Sequence, residues 1–298
     1  MTLNKKQQLS VGDFYYSDKT GSSTLDASKT CIGICVIPSN FLPDEKARIM
    51  SLKEMDYNNP ENGSLQHVGM CWGQSGVDTP IKNQTTFTTI DIEAIGSYEG
   101  TTIGSKCYGY LPTNRIDDSW KPGMENKVDK GTNWNGYVNV YVPSPYMIVN
   151  GKEVLCPQYN SNATSDFNGK SNTEILTKLH TAEDWKTVDK ITNNGEPNYS
   201  PAAVCCARYH TEGTNSGDWY LPSIGELGFI MPRFNGIQNS LKALGERVVL
   251  PLDNDEYCYW SSSEYGGCNA FIMFANYSGF GYRHKNYGYP YVRAFLMA

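Results

Sequence analysis

The sequence predicts an α+β fold. Apolar runs separated by turn residues crowd the first sixty positions, helix start and stop signals are confined to residues 171–245, and short strand-like runs return between 248 and 296. Strands, then helices, then strands is the pattern of segregated elements rather than of a parallel sheet with alternating crossover helices. With 298 residues the chain has room for one large domain or two ordinary ones, and for a real core.

Residues 11–16, ending in Phe14, Tyr15 and Tyr16, read as a short strand closed by the turn from Ser17 to Gly21. Residues 31–38 form an apolar strand that Pro38 closes, and residues 47–52 a third. Residues 78–165 are dominated by Asn, Gly, Thr, Ser and Pro, with isolated strand-like runs at 137–142 and 147–149. Two readings fit that stretch: an insertion with its own small sheet, or a long set of loops. The organisation expected is a β-rich segment at 1–75 that completes the C-terminal domain, a loop-rich insertion at 76–165, and a C-terminal domain at 166–298.

Ser171, Asn172, Thr173 and Glu174 have capping-box spacing, in which the serine oxygen takes an orphan N–H and the glutamate reaches back. Ile175, Leu176 and Leu179 then share one helix face. Ser200-Pro201 starts a second helix through 202–207, with proline in the first turn, where no N–H is needed. Ser223 and Glu226 repeat the capping-box spacing ahead of Leu227 and Ile230, and Pro232 interrupts. Phe234, Ile237, Leu241 and Leu244 continue an amphipathic stripe to a stop at Gly245. Strand-like runs follow at 248–250, 257–261, 270–274 and 291–296.

Several function classes are disfavoured. The formal net charge is -6 and no Lys/Arg run marks a basic patch, which argues against nucleic acid as a partner. No apolar stretch approaches a membrane span, so no membrane insertion is expected. Residues 1–8 lack the apolar core of a secretory signal. Of the nine cysteines, Cys31 and Cys35 are four apart and Cys205 and Cys206 adjacent, so neither pair resembles half of a zinc site. An odd cysteine count without a signal fits reduced thiols made in a cytoplasm, each a small buried hydrophobe. No metal and no cofactor is expected.

The stretch from Gly266 to Tyr291 stands apart. It interleaves Phe271, Phe274, Tyr277, Phe280, Tyr282, Tyr287, Tyr289 and Tyr291 with Gly, Asn, Ser, Cys, Arg283 and His284, and holds no Asp, Glu, Gln, Leu, Val, Thr or Trp. A buried strand is rich in Val, Ile and Leu, and a disordered tail is poor in aromatics. Aromatics mixed with small polar residues are instead the composition of an antibody paratope. The genetic code adds to this. Randomising the adenines of an Asn codon reaches most residue types and no stop codon, but never Lys, Glu, Gln, Met or Trp. Between Tyr265 and Tyr291 only Met273 and Lys285 lie outside that reachable set. This is the residue set of a segment copied with errors at adenines from an Asn-rich template; a Tyr/Gly-rich loop of ordinary origin has the same composition. The candidate binding residues are Phe271, Phe274, Tyr277, Phe280, Tyr282, Arg283, His284, Tyr287, Tyr289 and Tyr291, expected on one exposed surface from Tyr277 onward, as an aromatic patch larger than a monomer usually leaves bare.

Motifs around this stretch carry a resemblance. Trp219, Leu221, Pro222, Ser223, Glu226 and Leu227 spell a W-x-L-P-[ST]-x-x-E-L pattern, Trp260 to Glu264 a W-S-S-[ST]-E pattern, and Val292, Arg293 and Phe295 a V-R-x-[FV] pattern, with Asp166 to Lys170 upstream. In this order they resemble the C-type-lectin-like variable proteins of diversity-generating retroelements. The resemblance covers residues 166–298 firmly and the first sixty loosely. It implies a C-type-lectin-like fold in which Trp219, Leu221, Trp260 and Phe295 are scaffold, with residues 11–16 or 31–37 paired with, or packed beside, the final strand at 292–296, so that the first sixty residues belong to the same unit. It also implies receptor binding, as in phage tail-tip adhesion to a bacterial host through a surface protein or glycan, at the virion tail or alternatively on a bacterial surface. A tail adhesin is usually a trimer, so part of the face is expected against a neighbouring subunit.

Two rival signals are weaker. Glu196, Pro197 and Asn198 match the tripeptide of calcium-dependent mannose-binding lectins, but no W-N-D follows and the tripeptide precedes the W-x-L-P pattern. Formylglycine-generating oxidases share the broad fold and use paired cysteines; here Cys268 falls inside the exchangeable stretch, a poor place for a catalytic residue. His180, His210 and His284 sit at no ligand spacing with carboxylates, and no enzyme activity is expected.

Overall fold

The computed structural model describes residues 8–42, 44–73, 146–149, 152–155, 167–178, 200–230, 234–245, 250, 258–266, 268–274 and 279–298. Four strands come first: β1 (Phe14–Tyr16), β2 (Gly21–Ser22), β3 (Cys31–Ile37) and β4 (Arg48–Glu54). A hairpin of β5 (Tyr146–Val149) and β6 (Lys152–Leu155) follows, then α1 (Gly169–Lys178), α2 (Pro201–Arg208), β7 (Trp219–Tyr220), α3 (Ile224–Ile230) and α4 (Phe234–Leu244). The chain returns to strands with β8 (Cys258–Gly266), β9 (Asn269–Phe274), β10 (Gly279–His284) and β11 (Arg293–Met297). The fold is α+β, with antiparallel sheets.

The main sheet has the order β2-β1-β3-β4-β11-β7, and a second sheet runs β10-β9-β8. The direct neighbour of β11 is β4, through Phe295 opposite Met50 and Leu296 opposite Ile49, so β3 lies one strand away and β1 two. The expected partner of the last strand, one of the first two apolar runs, is thereby replaced by the third. Arg293 fixes this pairing from the side, donating from Nη1 to the Ser51 and Leu52 carbonyls at 3.2 Å each.

Alternation along the strands sorts side chains into two apolar layers. Phe14, Tyr16, Ile34, Met50, Tyr220, Tyr259, Phe271, Met273 and Phe295 pack with Ile224, Leu227, Phe229 and Ile230 of α3 and Ile237 and Leu241 of α4. On the opposite faces, Tyr15, Ile32, Ile49, Trp219, Trp260, Ala270, Ile272 and Leu296 pack with Leu176 of α1 and Ala202, Ala203, Cys205 and Cys206 of α2. Trp219 and Trp260 are fully buried.

The helix signals mostly hold. Ser200 caps α2, accepting from Ala203 N at 3.4 Å, with Pro201 at the first position. Glu226 takes the Ser223 backbone N–H at 2.9 Å, the reciprocal half of a capping box. It also bonds Arg48 Nε at 2.9 Å and the Tyr220 hydroxyl at 2.8 Å, so one buried carboxylate ties α3 to β4 and β7. Helix α4 stops at Gly245, whose φ of +116° suits a residue without a Cβ. The box at Ser171 does not cap: α1 starts two residues earlier, at Gly169. Asn172 and Thr173 are drawn into the helix because their side chains are spoken for, Asn172 Nδ2 donating to Ser262 Oγ at 3.1 Å and Thr173 Oγ1 accepting from Leu221 N at 2.9 Å. The runs at 137–142 and 248–249, Pro232, Leu179 and the tripeptide from Glu196 lie outside the described residues, as do the side chains of Phe234 and of the 146–155 hairpin. Leu250 is buried outside any strand, held by both ends of the Gln238 amide at 2.8 and 3.0 Å. Among the described residues no helix is long and apolar enough to cross a membrane.

Candidate functional site

The W-S-S-S-E run on β8 ties the strand to three other elements. Trp260 is core, and its Nε1–H donates to the Met70 carbonyl at 2.7 Å. Ser261 Oγ donates to Phe271 O at 2.9 Å, Ser262 Oγ receives Asn172, and Ser263 Oγ receives Ile224 N at 3.0 Å. The run therefore bonds β9, α1 and the start of α3 at successive positions. Glu264 ends it, buried and ion-paired with Lys285.

Beyond β8 the chain crosses to β9 and back along β10, with Tyr282 opposite Phe271, Arg283 opposite Ala270 and His284 opposite Asn269. Residues 279–284 carry no apolar strand period of their own. Ladder bonds need only backbone, and β9 supplies the apolar surface, so a Gly-aromatic run pairs there without a core pattern of its own.

After β10, residues 285–291 are pinned by a second segment, residues 64–73. Trp72 N and Gly73 N donate to Lys285 O at 2.8 and 3.1 Å, and Met70 N donates to Pro290 O at 3.0 Å. Cys71 Sγ reaches Asn286 O at 3.2 Å. Gly69 passes so close that a Cβ there would sit 2.4 Å from the Gly288 carbonyl oxygen and 2.6 Å from that of Tyr289. Tyr291 returns to β8, accepting from Trp260 N at 2.9 Å and donating to Cys258 O at 2.8 Å.

Two buried charge groups lie under this loop. Lys285 is fully buried, its Nζ on Glu264 and 5.0 Å from the centre of the Trp72 ring. Glu54, also buried, accepts the Tyr259 hydroxyl at 2.9 Å and meets His67 Nδ1 at 3.0 Å and Arg293 Nε at 3.8 Å. Burial, together with the Glu54 charge, pushes the Tyr259 hydroxyl well above its ordinary pKa. The His67 ring lies 5.6 Å from that of Tyr291, which packs 6.0 Å from Tyr259.

The expected face is brought together only in part. Tyr289 and Tyr287 are exposed, 58% and 42%, with ring centres 4.9 Å apart, and the Arg283 guanidinium stands 6.0 Å from the Tyr287 ring. His284 is exposed, and Tyr282, Arg283 and Tyr291 are half-buried. Phe271 must be withdrawn from the face. It is 3% exposed and packs in the core, because β9 is covered on both sides and leaves no solvent side. Phe274 and Phe280 lie on paired strands but their side chains, like all of Tyr277, lie outside the described residues. Among the described residues of the segment, the large exposed apolar side chains are Tyr287 and Tyr289.

Met273 and Lys285, the two residues that Asn-codon randomisation cannot reach, are both buried. The sequence reading missed the role of residues 64–73 and the Lys285–Glu264 pair. Lys285 stands out in the sequence as one of the two codon-unreachable residues; nothing in the sequence singles out Trp72. Of the rival signals, Cys258 is buried and Cys268 exposed, and both are free thiols. Among the described residues no group of His, Cys, Asp and Glu is placed to hold a metal. What the arrangement offers chemically is a fixed frame with rings, a guanidinium and an imidazole on its outer side.

No protein-family model matches the chain, and no curated protein matches it. Among solved structures it is similar to a fimbrial protein from Bacteroides ovatus ATCC 8483, at 17% identity and a TM-score of 0.47. The match covers 97% of this chain and 49% of the other, so the chain spans about half the length of that structure.

Proposed function

We propose that the chain is a receptor-binding protein whose C-terminal face is exchanged by a diversity-generating retroelement on a C-type-lectin-like frame, and that it serves phage attachment to a bacterial host. It binds and does not catalyse. Display on a bacterial surface is the alternative setting and uses the same face. The observation that carries this reading is the split within one short loop: Tyr287, Tyr289 and His284 point to solvent, while the codon-unreachable Lys285 between them is buried and ion-paired. A segment whose exposed positions are free to change and whose fixed positions hold the backbone suits a partner that keeps changing. Tyr gives large amphipathic contact area with little rotamer entropy to lose.

The DNA beside the gene tests the diversification. A near-copy of the codons for 265–292, differing at adenines and accompanied by a reverse transcriptase, is expected; its absence removes the retroelement. Binding is tested by exchanging Tyr287, Tyr289 and His284 for other Asn-codon-reachable residues and measuring adsorption to host cells. Unchanged adsorption refutes the face.

A further inference from the structure

We propose that the face recognises an anionic glycan, and that His67, from outside the exchangeable segment, belongs to it as a constant contact. The inference rests on the receptor-binding reading above and names the chemistry of the receptor.

Charge carries the first part. The chain has 31 Asp and Glu residues and a formal charge of -6, yet the described segments that build this surface, residues 64–73 and 281–291, contain none. Their ionisable outer groups are Arg283, His284 and His67, since Lys285 is buried against Glu264. Glu54, the carboxylate nearest His67, is itself buried and engaged by Tyr259. Among the described residues of these two segments no carboxylate is exposed, and on an otherwise acidic protein that favours a negatively charged partner and disfavours a positive one.

Shape and composition select a glycan over an acidic protein. Protein interfaces centre on a fully buried apolar core. Here the described face offers two tilted tyrosine rings among Gly, Asn, Arg and His. A sugar ring presents a C–H face that fits an aromatic ring, with hydroxyls and a charged group at its rim. The Tyr287 ring with the Arg283 guanidinium 6.0 Å from its centre matches that pairing.

Position carries the role of His67. It is one-third exposed, its Nδ1 is fixed by buried Glu54, and its ring lies against Tyr291 at the end of the exchangeable segment. Two residues further, Gly69 runs under Gly288 and Tyr289. A residue of fixed identity therefore borders the exchangeable ones and contacts whatever part of the receptor stays the same.

The test uses the full chain on immobilised polygalacturonate and polysialic acid, with neutral dextran and polyglutamate as controls. Expected are retention on at least one anionic glycan, none on dextran, less on polyglutamate, and a several-fold fall as salt rises to physiological strength. Arg283→Ser, and His67→Asn, which keeps an amide donor toward Glu54, should each weaken retention about tenfold, the worth of one hydrogen bond to a charged group. Both variants should keep the parent melting temperature. Retention on no anionic glycan, equal retention on dextran, or preference for polyglutamate overturns the proposal. Full retention by His67→Asn overturns the constant contact. If host cells still adsorb the protein through Tyr287 and Tyr289 while the glycans fail, only this inference falls; if cells do not, the receptor-binding reading falls with it.

Discussion

Replacing Lys285 by methionine isolates the ion pair under the loop. Both side chains of the Lys285–Glu264 pair are fully buried, so Lys285→Met takes the paired cation from a carboxylate held away from water. Breaking such a pair costs about 3–5 kcal/mol, and loss of the cation above the Trp72 ring falls within that figure rather than adding to it. At 298 residues, about 2 °C per kcal/mol gives a melting temperature lower by roughly 6–10 °C. Combining Lys285→Met with Glu264→Leu removes both charges and should regain most of the loss, since apolar replacement of a whole buried pair is often neutral. Urea unfolding followed by tryptophan fluorescence reads this as a lower midpoint at unchanged slope for the single variant. The double-mutant cycle then gives the coupling. A single variant within about 1 kcal/mol of the parent, or a double variant as weak as the single, would refute the reasoning.

Trp260→Ala should cost about 3–5 kcal/mol, as large-to-small core changes do, and a thermal melt showing under 1 would contradict its place in the core. Tyr287→Ser and Tyr289→Ser should each stay within about 0.5 kcal/mol of the parent in urea unfolding, because both rings are exposed, while adsorption to cells is lost. Gly69→Ala should displace the loop, since its Cβ would meet two carbonyl oxygens; faster amide exchange at residues 286–289 is the readout, and an unchanged pattern counts against the clamp. Burial pushes the Cys71 thiol up to about 11 and Cys268 is exposed, so iodoacetamide at pH 8 should alkylate Cys268 well before Cys71, as mapped by mass spectrometry.

Sequence periodicity revealed the elements that carry their own pattern. The strands at β3 and β4, the Ser200 cap and the stop at Gly245 follow from apolar runs, a cap and a glycine. The elements that escaped get their stability from elsewhere in the fold. β10 has no apolar alternation because β9 lends it a buried face, and α1 starts early because Ser262 and Leu221, far along the chain, take its polar side chains. Within the candidate face, composition located the right segment and could not separate Phe271, whose strand is covered twice, from Tyr289, whose loop is covered once. The pinning by residues 69–73 escaped for the same reason: Met70, Trp72 and Gly73 act through backbone N–H groups and Gly69 by lacking a Cβ, and backbone leaves no signature in composition.

The pinning of the loop at both ends sets which kind of variety it can carry. Lys285 O is fixed by Trp72 and Gly73, Pro290 O by Met70, and the span between them is residues 286–289. An inserted or deleted residue there would pull one carbonyl off its donor and break the approach of Gly69. Identities can be rewritten freely while the count of residues stays constant. An immune-type loop explores shape by changing length as well as content. This one is confined to a fixed outline, so the exchange proposed for it would vary surface chemistry on a single contour.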